Sequence, residues 1–100
     1  SGWNGMPFDE KYGGQELPWL LSTAGSEMVQ SANLSFSLCP LLTQGAIELL
    51  KSHGTDHLKH IFLKKMVSGQ WNGTMNLTEP QAGTDLAQIR TRAKKKDEYY

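Results

Sequence analysis

The sequence has little of several features that define other classes of protein. It contains one cysteine, Cys39, so it cannot form an internal disulfide framework, and a reducing cytoplasmic compartment is the expected location. No basic segment followed by an apolar one precedes Trp3, and no apolar run approaches the length of a membrane span. These absences argue against a disulfide-rich secreted domain and against a membrane-spanning protein.

The composition is that of one small globular domain or of a piece of a larger one. Of the 100 residues, 38% are hydrophobic and 20% are charged, which does not match a disordered or fibrous chain. The chain begins at Ser1 without an initiator methionine, and it ends at Tyr100, where a new apolar segment starts. We therefore expect a fragment of a longer protein.

Charges of both signs balance over the whole chain but not within its halves. Residues 1–50 carry one Lys against five carboxylates, whereas residues 51–100 carry nine Lys or Arg against five carboxylates. The basic cluster at residues 90–96 could indicate a surface for phosphate or nucleic acid. No aromatic residues interleave this cluster, as stacking on bases would require, so we interpret it as a solvated strand and turn and expect no nucleic-acid partner.

Apolar periodicity predicts three helices in the first 70 residues, after a glycine-rich loop that should pack on them. The expected bounds are 16–31, 34–53 and 56–68. The first helix should bury the apolar residues at 17, 20, 21, 24 and 28, and the third should bury Leu58, Ile61, Phe62 and Met66. The second is apolar on nearly every side, so it should be the central helix of a bundle larger than these residues can build.

The apolar period changes from 3.6 to 2 at Gln70. The alternation predicts a half-buried strand over residues 71–77 and a second strand over residues 88–94, followed by a hairpin turn. A switch from helices to strands marks a domain boundary. We therefore expect an α+β fragment, with a helical domain in residues 1–70 and the truncated start of a β domain in residues 71–100.

Histidine and cysteine residues could suggest a chemical site, but simpler interpretations are favoured. His53, His57 and His60 fall within eight residues, yet no cysteine or carboxylate stands at ligand spacing, so we interpret them as solvated or capping side chains and expect no metal site. Cys39 occupies a helix position expected to be buried. We interpret it as a small hydrophobic residue rather than a nucleophile.

The stretch MNLTEPQAGTD, residues 75–85, ends the first predicted strand with small residues, a proline and two carboxylates. Thr78 offers a hydroxyl, and Gly83 and Thr84 let the backbone approach a ligand while presenting N–H and O–H donors. This chemistry suits a planar polar ligand or one that carries phosphate. The alternative is a plain turn in which Asp85 satisfies local amides.

The same stretch carries a resemblance to a known family. LTEPQAGTD, preceded by Trp71 and followed by LAQIRTRA, resembles the signature of the acyl-CoA dehydrogenase family, where the N-terminal helical domain meets the middle β-barrel domain. GWNGMPFDEKYGGQELPW is similar to the family's approach loop, and CPLLTQGAIELLKSHGT to its central helix. The resemblance covers almost the whole chain and is strongest to the 3-methylmercaptopropionyl-CoA dehydrogenase branch.

This resemblance implies a flavoprotein oxidoreductase of fatty acid metabolism that converts an acyl-CoA thioester to the enoyl-CoA with FAD as cofactor. By the family's motif, Met75, Leu77 and Thr78 would serve the flavin ring, while Gly83 and Thr84 would approach the diphosphate. Thr84 would also contact the CoA part of the substrate. Met75 replaces an often aromatic residue, and Thr84 is Ser in many relatives.

The resemblance also implies what this chain does not supply. The family's catalytic Glu belongs to a C-terminal helical domain, so we expect no catalytic residue here and no activity from the fragment alone, while Glu79 and Asp85 are interpreted as structural carboxylates. The implied partners are an acyl-CoA substrate, an electron acceptor for the reduced flavin and other copies in a homo-oligomer. The alternatives are a non-catalytic binding or scaffold protein on the same fold and a related flavin oxidase or monooxygenase.

Overall fold

The computed structural model describes residues 2–99, and helices dominate their first two thirds. Three α-helices follow one another, α1 over Trp19–Ala32, α2 over Leu34–His53 and α3 over Asp56–Val67. Short 3-10 helices cover Gly2–Gly5, Glu10–Tyr12 and Leu86–Gln88. Each predicted helix is therefore present, although α1 starts at residue 19 rather than 16. Ser1 and Tyr100, on which the expectation of cut ends rests, lie outside the described residues.

Side-chain caps explain where α2 and α3 begin. The Asn33 Oδ1 atom accepts a hydrogen bond from the Phe36 N–H at 3.0 Å, and the Thr55 Oγ1 atom accepts one from the Leu58 N–H at 3.3 Å. The Asn33 N–H also donates to the Val29 carbonyl at the end of α1. A single residue therefore ends one helix and starts the next, and α1 and α2 join without a loop.

Helix α3 ends in a Schellman motif at Gly69. The φ angle of Gly69 is +77°, in the left-handed region that favours glycine. The Gly69 N–H donates to the Met66 carbonyl at 3.0 Å, and the Gln70 N–H donates to the Lys65 carbonyl at 2.9 Å. The motif satisfies the last carbonyls of α3 and turns the chain away from the helix axis.

The core lies where the N-terminal loop meets α2 and α3. Its buried cluster consists of Phe8, Ile47, Leu63, Met66 and Val67. The Phe8 ring meets the Trp19 ring edge-on, with 6.0 Å between centroids. The Lys51 Nζ atom lies 2.6 Å from the Asp9 Oδ1 atom, and hydrogen bonding from this ammonium lowers the pKa of the Asp9 carboxyl. The loop is thus packed on the helices, as predicted.

The buried faces of α1 and α3 differ from the predicted ones. Helix α1 buries Ser22 and Gly25, whereas Leu20 and Met28 are 79% and 66% exposed. The Gly25 backbone lies close to the ring of Trp3, since a Cβ added at Gly25 would lie 3.2 Å from the Trp3 Cζ3 atom. Small residues allow this close approach. The predicted apolar face of α1 is wrong because no described element covers that side.

Helix α3 is rotated relative to its predicted orientation. It buries Leu63, Met66 and Val67, whereas Leu58 and Ile61 are partly exposed. Of the predicted face, only Met66 is fully buried, and the others lie beside the buried residues. The helix turns this edge to α2 because Ile47 and the N-terminal loop lie there.

Helix α2 keeps a large exposed apolar surface although it contacts both other helices. The side chains that are more than half exposed are Leu34, Phe36, Leu38, Leu41 and Leu49. Two helical neighbours cannot cover a helix that is apolar on nearly every side. The exposed apolar surface agrees with the expectation that α2 belongs to a larger bundle, which stays a prediction.

The strands predicted over residues 71–77 and 88–94 are not formed within residues 2–99. The second segment instead begins with the end of a 3-10 helix, and isolated bridges close tight turns at Glu79–Ala82 and Lys96–Tyr99. A strand satisfies its backbone groups through a neighbouring strand, and no ladder of hydrogen bonds joins the two described segments. The α+β prediction is confirmed for the helices and wrong for these strands.

Candidate functional site

The segment that carries the predicted cofactor contacts starts against α2. The Gly73 N–H donates to the Thr43 Oγ1 atom at 3.2 Å. A Cβ added at Gly73 would lie 2.5 Å from the Ala46 Cβ atom, so the backbone of the segment rests directly on the helix. Two residues later, the Met75 Cε atom lies 3.7 Å from the position of a Cβ added at Gly45. The segment therefore lies on the surface of α2 from residue 43 to residue 46.

The residues predicted to contact a cofactor are all exposed on this support. Met75 and Leu77 are 54% and 44% exposed, and Thr78, Gly83 and Thr84 are exposed as well. A Cβ added at Gly83 would meet no atom within 4 Å, so the chain leaves open space there. The five residues are thus exposed in two parts, residues 75–78 with two apolar side chains and one hydroxyl, and residues 83 and 84 with polar groups.

A tight turn separates the two parts of this surface. The Glu79 N–H donates to the Ala82 carbonyl at 3.1 Å, and the Ala82 N–H donates back at 3.0 Å. The Glu79 carboxylate accepts hydrogen bonds from the N–H groups of Thr91 and Arg90 at 2.9 and 3.0 Å. Hydrogen bonds from the Thr91 side chain and from these two N–H groups lower the pKa of Glu79 to about 2.

Both carboxylates of the signature are bonded to backbone groups. The Glu79 carboxylate fastens the turn to residues 90 and 91, and the Gln81 side chain also donates to it. The Asp85 Oδ1 atom accepts from the Ala87 N–H at 3.2 Å and so caps the 3-10 helix that follows. These partners agree with the structural interpretation of both residues.

A cavity of about 420 Å³ lies between the N-terminal loop, α1 and α2. Its walls include Trp3, Met6, Ser22, Gly25, Ser37 and Gln44. The Asn4 Nδ2 atom donates to the Met66 carbonyl, while the Asn4 Oδ1 atom is buried without a hydrogen-bond partner. None of the five predicted site residues lines this cavity. The small residues Ser22 and Gly25 on α1 are the sequence signal that could have indicated it.

The histidines and the cysteine do not form a site in the described part of the chain. Within residues 2–99, no three His, Cys, Asp or Glu side chains are grouped so that they could hold a metal ion. Cys39 is a free thiol on the exposed side of α2, so the expectation of a buried cysteine is wrong. No helix between residues 2 and 99 is long and apolar enough to cross a bilayer.

Comparison with known proteins assigns most of the chain to one family. The model of the acyl-CoA dehydrogenase N-terminal domain matches residues 1–70. The chain is 47% identical over 97 residues to the 3-methylmercaptopropionyl-CoA dehydrogenase of Ruegeria pomeroyi, and the match covers 97% of this chain and 16% of that protein. It is 33% identical to the mitochondrial short/branched chain specific acyl-CoA dehydrogenase of Rattus norvegicus, over 99% of this chain and 23% of the relative.

A third relative matches a similar share of the chain. The chain is 34% identical to a butyryl-CoA dehydrogenase of Syntrophomonas wolfei, over 88% of this chain and 14% of that protein. The chain thus spans less than a quarter of the length of each of these three relatives. Because the family model matches more than half of its residues, the chain belongs to the acyl-CoA dehydrogenase family.

Proposed function

We propose that this chain is part of a longer FAD-dependent acyl-CoA dehydrogenase, which oxidises an acyl-CoA thioester to the enoyl-CoA. The family match over residues 1–70 and the relatives named as acyl-CoA dehydrogenases support the reaction class. The chain covers only 16% of the first of these relatives, which supports its being part of a larger protein. We place the boundary between the helical domain and the following domain near residue 70, where α3 has ended.

The surface formed by residues 75–84 has chemistry that suits FAD. The exposed Met75 and Leu77 side chains offer apolar contact to a flat ring, and the Thr78 hydroxyl offers a hydrogen bond beside them. Beyond the turn, the open space at Gly83 leaves room for a diphosphate, to which the Thr84 hydroxyl could donate. The apolar part and the polar part thus follow the order of the cofactor's own ring and diphosphate.

In this proposal the chain binds and orients FAD, and other parts of the longer protein supply the catalytic base. FAD accepts a hydride from the substrate when it is bound. Met75, Leu77 and Thr78 position the ring, and Glu79 fixes the turn that separates this group from Gly83 and Thr84. Thr84 is also the proposed contact to the CoA part of the substrate.

The remaining parts of the proposal concern partners. The proposed partners of the longer protein are an acyl-CoA substrate and a separate electron acceptor, which would take electrons from the reduced flavin. We expect the catalytic carboxylate in a C-terminal helical domain and further FAD contacts from a second copy in a homo-oligomer. The cytoplasmic location stays a prediction from cysteine usage.

The signature surface between Met75 and Thr84 is the observation that carries this proposal, and flavin spectroscopy tests it. The full-length protein should be yellow, and its visible absorbance should bleach when an acyl-CoA is added without oxygen. A protein that binds FAD but does not bleach would support the scaffold alternative, and rapid reoxidation by oxygen would support the oxidase. The isolated 100-residue chain should bind FAD weakly and show no turnover. Stoichiometric FAD on the isolated chain would contradict the proposal that it carries only part of the FAD site.

A further inference from the structure

The predicted cofactor segment is attached to the helical body through Thr43. Thr43 is only 1% exposed, which is unusual for a polar side chain unless its hydrogen-bonding groups are satisfied. Its hydroxyl donates to the Cys39 carbonyl at 3.1 Å within α2 and accepts from the Gly73 N–H at 3.2 Å. One buried hydroxyl therefore joins two parts of the chain that are 30 residues apart in sequence.

The attachment also depends on Gly73, which has no side chain and so allows the backbone to lie close to α2. A Cβ there would lie 2.5 Å from the Ala46 Cβ atom and 2.9 Å from the Met66 Cε atom. The Ala46 Cβ atom is fixed to the backbone of α2, so it cannot move aside as the end of a flexible side chain can. Any larger residue at 73 must lift the segment off the helix or push the helix away.

Displacement at Gly73 should reach the proposed flavin contacts. Extended chain rises by about 3.3 Å per residue, so Met75, Leu77 and Thr78 lie within a short distance of the attachment point. The Met75 side chain also rests near Gly45 on the same stretch of α2. Leu77 and Thr78 follow directly along the chain and are exposed.

We propose that Thr43 and Gly73 are positioning residues, which fix where the proposed flavin-binding segment, residues 73–78, lies on α2. They act through Met75, Leu77 and Thr78 and do not themselves touch the cofactor. This inference rests on the proposed function, since it assigns the geometry of the same site. It adds two residues that lie outside the signature stretch.

The full-length protein provides the test, with Thr43→Val as the main variant. Valine keeps the shape of the side chain but loses both hydrogen bonds. Thr23→Val is the matched control, because the Thr23 hydroxyl donates to the Trp19 carbonyl in the same way but has no bond to the segment. Thr43→Ser keeps the hydroxyl and should restore wild-type behaviour to within about twofold.

Three readouts separate positioning of the segment from the stability of α2. Thr43→Val should weaken FAD affinity by about threefold to tenfold, as expected for the loss of the hydrogen bond from the Gly73 N–H. In the FAD-free protein, amide hydrogen exchange in the peptide covering residues 73–78 should become faster by a similar factor. Thr23→Val should change neither. The visible circular dichroism of the bound flavin should change in Thr43→Val, whereas far-ultraviolet helical signal should not.

A second pair of variants tests the steric half of the proposal. Gly73→Ala should weaken FAD affinity by about tenfold or more, because the new methyl group meets Ala46. Adding Ala46→Gly removes that obstacle and should recover part of the affinity. A double variant no better than Gly73→Ala would overturn the steric argument.

The outcomes distinguish this inference from the proposed function. If wild-type protein binds FAD and Thr43→Val binds it equally, with unchanged exchange in residues 73–78, then Thr43 is a packing residue and the inference is wrong. A lower melting temperature of Thr43→Val, without these two changes, would not support the inference. Wild-type protein that binds no FAD would overturn the proposed function and the inference together.

Discussion

Residues 2–69 and residues 70–99 satisfy their backbone hydrogen bonds in different ways. In the first region, three helices close most of these bonds within themselves, and side chains such as Asn33 and Thr55 cap their starts. In the second region, tight turns and a 3-10 helix are held partly by the carboxylate of Glu79. Helical bonds are local, so a short chain can contain all of them, whereas a strand depends on a neighbour.

The two regions also differ in how much they bury. The hydrophobic cluster draws on the N-terminal loop, α2 and α3, and from the second region only Ala82 is a fully buried hydrophobic residue. Burial of apolar surface is the main stabilising term in folding. The comparison therefore separates a region that is held by a core from one that buries a single hydrophobic residue fully, and the following changes test that distinction.

The largest expected effect is on the core of the first region. Leu63 has no exposed surface, so Leu63→Ala should lower the free energy of unfolding by about 2–5 kcal/mol. Leu77→Ala makes the same truncation in the second region at a residue that is 44% exposed, and it should cost about 0.5 kcal/mol or less. Urea unfolding of the chain, followed by far-ultraviolet circular dichroism, measures both. Equal losses would show that the second region shares the core.

The same distinction explains which parts of the fold could be predicted from the sequence. The bounds of α2 follow from local signals, namely the Asn33 cap and the long apolar pattern, and both ends are correct. The buried faces of α1 and α3 depend on which elements cover them, and Leu20 and Leu58 are therefore exposed despite their helical spacing. The alternation of apolar and polar residues over 71–77 indicates a preference for pairing with another strand. No described segment provides that strand.

The next largest effect should appear in the second region, at its polar end. In the full-length protein, Thr84→Ala removes the hydroxyl proposed to bond the charged diphosphate, a loss of about 1.5–3 kcal/mol. FAD affinity, acyl-CoA affinity or both should then fall by roughly tenfold or more. FAD titration of the apoprotein and substrate titration measure the two affinities. Thr84→Ser keeps the hydroxyl and is the matched control, and wild-type binding by Thr84→Ala would leave the turn with a structural role only.

The exposed surface of α2 should dominate the solution behaviour of the isolated chain. Leu38 and Leu41 are each 53% exposed, and apolar surface of this kind promotes association. We expect the chain to self-associate, and the double variant Leu38→Gln, Leu41→Gln should weaken this association by roughly tenfold. Light scattering at several concentrations measures it. The control replaces the exposed His57 and His60 of α3 by Gln, and a monomeric wild-type chain would contradict the prediction.

A smaller effect is expected at Thr78, where the second region meets the proposed flavin ring. Thr78→Val keeps the side-chain shape but removes one hydrogen bond that can stabilise negative charge on the reduced ring. The rate of flavin reduction should fall by about threefold to tenfold, while FAD affinity should change less. Stopped-flow reduction with acyl-CoA and a parallel FAD titration separate the two quantities. A loss confined to FAD affinity would place the hydroxyl in cofactor binding instead.

The candidate site was predictable only where its residues are close together in sequence. Met75 to Thr84 form one continuous stretch, so a family signature can identify them without any structure. The attachment of that stretch joins Thr43 to Gly73, and no local pattern marks a contact between residues so far apart. Glu79 is intermediate, because its place in the signature was visible but its bonds to Arg90 and Thr91 were not.

The smallest expected effect concerns the Glu79 carboxylate, whose hydrogen bonds hold a turn in the second region. Its pKa is lowered from 4.5 to about 2 by hydrogen bonds from the Thr91 side chain and from the Arg90 and Thr91 N–H groups. A carboxyl group with a lowered folded pKa stabilises the fold above its unfolded pKa, and this contribution is lost as the pH falls from 4.5 towards about 2.

The turn at Glu79 should therefore remain closed at pH values where ordinary glutamates are already protonated. The amide signals of Arg90 and Thr91 should shift in nuclear magnetic resonance spectra with a midpoint near pH 2, and Glu79→Gln should abolish the shift. A midpoint near 4.5 would mean that the N–H groups are not held by the carboxylate. The second region would then lack the hydrogen bonds that join its turn at Glu79 to Arg90 and Thr91.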